Sequence, residues 1–330
     1  MRSSGILMHI TSLPGSYGVG TMGKQAFAFV DFLKKAGQSY WQILPLSPTG
    51  YGDSPYQSCS TFAGNHYLID LDTLIEEGLL VQADVENIDW CWKDTKADFG
   101  RLYNNRLNVL RKAYARFQGG NDFELFCEDN ASWLPDFTVF MALKAKYQGK
   151  PWYNWEEGLK MRQASAMAAI REELADEIRF YSFVQYLFFK QWNALHTYAA
   201  ENGISIIGDV PIYVPLDSVE VWSAPEMFQL DETLTPKVIA GCPPDAFSAE
   251  GQLWGNPIYD WEKMKADGFA WWIRRLAAAG EMYDVVRMDH FRGLEAYWSV
   301  PYGDANAKGG KWVKGPDMAF IEAIQKGLPE

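Results

Sequence analysis

Cysteine is scarce in this chain, four among 330 residues. Cys59, Cys91, Cys127 and Cys242 fall in no CxxC or other metal-ligand spacing, so inert or buried thiols are expected rather than a cysteine-held metal. No apolar run is long enough to span a bilayer. The opening MRSSGILMHITSLPG has only a short apolar stretch and no cleavage region of a secretory leader. A reducing cytoplasm is the expected compartment. Basic residues are in deficit, 30 against 42 acidic, for a net charge of −12. That field repels phosphate backbones and anionic lipid, so neither nucleic acid nor a membrane is expected as a partner. Gly18-Val19-Gly20 does not complete GxGxxG, and no P-loop occurs. Internal repeats and low-complexity tracts are also missing.

What is present is ordinary globular material, 48% hydrophobic and 22% charged, enough for one or two large cores. Aromatics reach 15%, with 14 Trp and 17 Tyr. They serve a core, or a saccharide site in which rings pack on the apolar face of a pyranose; composition leaves both open.

Short apolar runs at 6–11, 40–47, 204–214 and 283–291 read as buried strands bounded by Gly, Pro or polar clusters. Helical periodicity lies between them. Residues 24–36 predict a helix capped by Gly37, and helices are also predicted over 180–201, 262–279 and 317–327. Strands alternating with helices predict an α/β fold with a parallel sheet. The segment 52–178, rich in Trp, Asp and Lys, reads as a mostly helical subdomain inserted on a βα connection. No further buried strand is expected after residue 291. With four strands predicted, the sheet is either open or part of a (β/α)8 barrel.

Four segments could carry chemistry. In GDVPIY (208–213) an apolar strand delivers Asp209 near its C-terminal end, where barrel and open-sheet enzymes place their sites. A cap or turn role is the alternative. In VRMDHFRG (286–293) Arg287 and Asp289 are two apart and share one face of an extended strand. Such a pair keeps a carboxylate ionised, as a glycosidase nucleophile requires, or forms a structural pair at a strand end. The run PTGYGDSPYQSCS (48–60) is a loop offering Tyr51 and Tyr56 for ring stacking, or simple surface packing. Residues 240–257 form a long loop carrying Trp254, a lid or an inert excursion.

Together, these segments resemble the amylomaltase family of 4-α-glucanotransferases, glycoside hydrolase family 77. The resemblance is carried by TSLPGSYGVG (11–20), WQILPL (41–46), GYGDSPYQ (50–57), GDVPIY (208–213), PPDAFS (243–248), GQLWGNP (251–257) and VRMDHFRG (286–293). It implies a (β/α)8 barrel, present here as about its first four strands over 1–51 and 179–330, with a mainly helical subdomain at 52–178. It implies Asp289 as the nucleophile of a retaining double displacement and Arg287 as the residue that positions it. Asp209 and His290 match binders of sugar hydroxyls, Ser54 and Tyr56 donor-side contacts, and Gln252 and Trp254 a lid-like loop. Ala246 stands where some relatives carry a tyrosine. The implied partners are maltooligosaccharides and α-1,4-glucans, with no metal and no organic cofactor. The family's acid/base glutamate belongs to the next barrel strand, expected beyond residue 330. Glu295 follows the nucleophile motif too closely to match it, and Glu330 lacks the surrounding strand. The expectation is therefore a C-terminally truncated 4-α-glucanotransferase. A catalytically inactive glucan-binding fragment and a hydrolase of the α-amylase clan are the alternatives.

Overall fold

The computed structural model describes residues 2–50, 52–90 and 96–328. Tyr51, Cys91 and Glu330 lie outside the described residues. The strands are β1 (Gly5–Leu7), β2 (Tyr40–Gln42), β3 (Ser205–Val210), β4 (Val238–Cys242), β5 (Gln252–Pro257), β6 (Val285–Met288), β7 (Ala296–Pro301) and β8 (Lys311–Lys314). They form two sheets: a parallel one in the order β1-β2-β3-β6 and an antiparallel one in the order β5-β4-β7-β8.

The parallel sheet occupies the four apolar runs expected of it. Its centre is dry: Trp41, Ile43, Ile204 and Ile206 are fully or almost fully buried. The helix Lys24–Lys35 crosses from β1 to β2 and is followed by Gly37 at φ 66°, the left-handed conformation expected of its cap. The helix Ala175–Glu201 leads into β3 and starts earlier than its periodicity suggests. It buries a stripe that includes Phe180, Phe183, Val184, Leu187 and Phe188. Two glutamines on it meet loop backbone: Gln185 bonds both the N–H and the C=O of Gly64, and Gln191 does the same at Asp70. These paired bonds hold the chain that follows the 50–57 loop.

Three expectations need correction. The helix predicted over 262–279 is two, Trp261–Ala266 and Ala270–Met282. Gly268 and Phe269 between them both take positive φ, and Phe269 turns inward to pack edge-on against Phe320. The stretch 240–257 is a β-hairpin of β4 and β5 rather than one long loop. The chain after 291 does form strands, β7 and β8. They were hidden because β7 mixes buried, half-buried and exposed residues without a clean apolar run, and β8, KWVK, is a charged edge strand.

The segment 52–178 carries the helices Phe99–Arg116, Asn121–Asp129, Leu134–Lys146 and Ala164–Glu173. They share cores with the sheets. Leu102, Val109, Leu110 and Phe123 join Trp41 and Ile206 in one, while Val139, Phe140 and Leu143 join Trp222, Tyr259 and Trp272 in another. Among the described residues, no helix is long and apolar enough to cross a membrane.

Candidate active site

The parallel register explains how the charged residues meet. Asp209 on β3 is the partner of Arg287 on β6, and Val210 that of Met288. Neighbours across a parallel ladder point to the same face, as do residues two apart along one strand. Asp209, Arg287 and Asp289 therefore converge beyond the strand ends. The N–H of Asp289 still donates to Val210 O at 2.9 Å, which extends the ladder to the carboxylate. Gly208 precedes Asp209 for a steric reason: a Cβ there would lie 2.2 Å from the Tyr283 ring.

Arg287 is the hub. Its Nη1 donates to Asp209 Oδ1 and its Nη2 to Asp289 Oδ1, both at 2.6 Å. These two ion pairs raise the arginine further above its ordinary value, the Asp289 hydrogen bond being the largest cause. The two carboxylates are treated differently. Asp209 is 3% exposed, and its second oxygen accepts from the Tyr56 hydroxyl at 2.7 Å. Burial and that hydrogen bond push the Tyr56 hydroxyl well above its usual value. Asp289 has a side chain 38% exposed, and its Oδ2 has no hydrogen-bond partner among the described residues.

The other candidates form a chain around this hub. Ser54 shapes the loop, its Oγ accepting from the N–H of Tyr56 at 3.3 Å. His290 follows Asp289 in a left-handed conformation, φ 50° and ψ 40°, a strain of about 1–3 kcal/mol for a residue with a side chain. Its ring meets Trp254 edge-on at 4.8 Å, and burial holds its pKa below the ordinary histidine value. Trp254 Nε1 donates to Gln252 Oε1 at 3.1 Å, so both residues stand on β5 beside His290. The structure thus brings together Ser54, Tyr56, Asp209, Arg287 and Asp289, and separately joins His290, Trp254 and Gln252.

Sequence reasoning did not single out the link between the 50–57 loop and the hairpin. Gln57 Nε2 donates to the buried Asn256 Oδ1 at 3.4 Å. Both lie inside quoted motifs, but the partners are 199 residues apart. Phe247 was also passed over; it is 100% exposed in the turn between β4 and β5. An aromatic in a Pro- and Asp-rich loop was its signal. A small pocket lined by Tyr56 and Asp209 holds only about 50 Å³, so the open strand ends, rather than that pocket, offer room for a ligand. Among the described residues, no group of three His, Cys, Asp or Glu side chains is placed to hold a metal ion.

Known proteins resemble this chain closely. The family model described as 4-alpha-glucanotransferase, that of glycoside hydrolase family 77, matches residues 8–330. A 4-alpha-glucanotransferase of Clostridium butyricum is 50% identical over 97% of this chain and 66% of its own length. One of Streptococcus pneumoniae is 50% identical over 100% of this chain and 66% of its own. The chain thus spans 66% of the length of these relatives. The amylomaltase of Streptococcus agalactiae, solved in complex with acarbose, superposes with a TM-score of 0.97 at 44% identity, covering 100% of this chain and 68% of that one. By sequence and by α/β fold, this chain belongs to the 4-alpha-glucanotransferase family, glycoside hydrolase family 77.

Proposed function

We propose that the strand-end cluster is the nucleophile half of a 4-α-glucanotransferase site that moves α-1,4-glucan segments from a donor maltooligosaccharide to an acceptor sugar. The observation that carries this is the asymmetry around Arg287. Of the two carboxylates it binds, only Asp289 keeps an oxygen free and open to solvent. A retaining displacement needs such a group: ionised, oriented, with one lone pair aimed at the anomeric carbon. Asp289 attacks, forming a glycosyl ester as the leaving glucan departs. A sugar hydroxyl then displaces Asp289, and the α configuration is kept through two inversions.

Arg287 fixes the carboxylate plane in this reading. Asp209 and His290 take sugar hydroxyls, Ser54 and Tyr56 shape the donor side, and Gln252 and Trp254 form a cover that favours a sugar acceptor over water. Both oxygens of Asp209 already accept hydrogen bonds, so it is a poor candidate for the acid that protonates the leaving oxygen. We assign that acid/base to a residue beyond 330. The parallel sheet is read as the first four strands of a (β/α)8 barrel formed by 1–51 and 179–330, with 52–178 as a mainly helical insert. The exposed Leu7 and Val285 on its two edge strands support an unfinished closure. Maltooligosaccharides and α-1,4-glucans are the proposed partners, in the cytoplasm and without a cofactor. The acarbose complex of the S. agalactiae relative supports a sugar-type ligand.

An activated donor tests this without the acid, because fluoride leaves unprotonated. With α-maltosyl fluoride, the chain should release fluoride and accumulate a maltosyl ester on Asp289, because discharge of that ester to an acceptor hydroxyl needs the base assigned beyond 330. Fluoride release with hydrolysis products only would return the hydrolase alternative. Absence of any reaction would sink the nucleophile assignment.

A further inference from the structure

A second cavity lies between the helices Asn121–Asp129, Ala175–Glu201 and Ala270–Met282. Its volume is about 550 Å³, in the range of small-molecule sites and about ten times that of the pocket lined by Tyr56 and Asp209. None of Asp209, Arg287 or Asp289 lines it. Phe62 and Met282 border both spaces, so the cavity backs onto the strand-end site without being part of it.

The floor is aromatic and built. Phe62 and Trp133 lie nearly parallel, 17° between planes and 6.4 Å between centroids. Trp133 also packs on Phe189 at 5.9 Å, and its Nε1 donates to Asn130 Oδ1 at 2.9 Å, which fixes the indole. Phe62, Trp133 and Phe189 are each only partly buried. Each of these rings lines the cavity and keeps part of its surface accessible there.

The rim is polar and lacks partners. Asp122, Asp129 and Glu281 make no hydrogen bond or ion pair among the described residues, and neither does the Asn193 amide. The rim's one cation, Lys190, is engaged by Glu77 at 2.8 Å, and Arg274 lies 5.9 Å from the Phe62 ring centre. Three uncompensated carboxylates disfavour an anionic ligand. A purely apolar ligand would strip water from these carboxylates at a cost. A neutral polyhydroxylated chain with apolar ring faces satisfies both surfaces: its C–H faces lie on Phe62 and Trp133, and its hydroxyls donate to Asp129 and Glu281.

We infer that this cavity is a second, non-catalytic binding site for an α-1,4-glucan, holding polymer while the strand-end site acts. The choice of glucan over other neutral sugars rests on the function proposed above; the existence of a sugar site at this cavity rests on its own geometry. Calorimetric titration of the full chain with maltoheptaose separates the two. Wild type should show two binding events. Asn193→Ala with Glu281→Ala, both exposed and safe for folding, should weaken one event about tenfold or more and leave the other. Trp254→Ala should do the converse. A single event that the double variant leaves unmoved overturns the second site and spares the strand-end reading. No binding in any variant overturns both, and two events with cellobiose or other β-linked sugars at equal affinity overturn the glucan assignment.

Discussion

Strands β3 and β6 end alike in sequence and unlike in structure. Each is an apolar run that delivers an aspartate to the same edge of the sheet, and a single arginine holds both at 2.6 Å. At the end of β3, Asp209 is buried and both its oxygens are bound. At the end of β6, Asp289 is open, with one oxygen bound and one not. A carboxylate with both oxygens engaged suits organising a site; in the function proposed above, the one with an unengaged oxygen is the nucleophile. The difference arises from what surrounds the two strand ends. Tyr56 reaches Asp209 from the 50–57 loop, whereas the strained His290 turns the chain away immediately after Asp289.

The comparison breaks most visibly on reactivity. Asp289→Asn should abolish covalent labelling by an activated maltosyl fluoride, a loss on the order of 10⁴-fold or more for removal of a nucleophile. Mass spectrometry of the peptide containing residue 289 reads the adduct directly. Asp209→Asn should still give that adduct at a reduced rate. Adduct on Asp209 instead, or equal loss in both variants, would mean that the free oxygen of Asp289 is not the distinguishing feature.

Stability should divide the other way. Arg287→Ala leaves Asp209 buried with only Tyr56 to balance it, and loss of one partner of a buried pair costs about 3 kcal/mol. Asp289→Ala removes a half-exposed pair and should cost under about 1 kcal/mol. Urea unfolding of the two variants measures the contrast, and combining Arg287→Ala with Asp209→Asn should recover part of the larger loss. Tyr56→Phe comes next. It removes a hydrogen bond to a buried charge, worth roughly 1.5–3 kcal/mol, and should reduce donor binding while Asp289 remains reactive.

Half of this arrangement is legible in the sequence. The four strands of the parallel sheet announce themselves as apolar runs, but only the central β2 and β3 carry buried residues; β1 and β6, expected to be buried, are edge strands of exposed and half-buried residues. The Arg287–Asp289 pairing follows from the period of two along a strand. The Arg287–Asp209 pairing does not, because it depends on the register of β3 against β6, set by residues 78 apart. Nor does Tyr56–Asp209, at a separation of 153. The antiparallel sheet was missed for a different reason. In β7 only Tyr297, Ser299 and Val300 are buried, a pattern too mixed to separate from a loop. Its neighbour β8 has two lysines in four residues. Family motifs supplied the roles of Trp254 and Gln252 without revealing that they stand on a strand beside His290.

The smallest effect concerns the open strand end and acid. Burial lowers the His290 pKa below its ordinary value. The unfolded chain then takes up a proton near pH 6.5 that the folded chain refuses. This contribution is present above pH 6.5 and is lost as pH falls toward the lowered folded value. His9, held at about 4, and His66, at about 3, act in the same direction and more strongly. Wild type should therefore lose stability between pH 6.5 and 4, most of it through His9 and His66. His290→Asn keeps a residue that tolerates the left-handed conformation and should flatten only the uppermost part of that decline, just below the ordinary histidine value. Thermal melts across this range give the slope. An unchanged slope would mean that water reaches the ring freely, and the Asp289 end would then be more open than its contact with Trp254 implies.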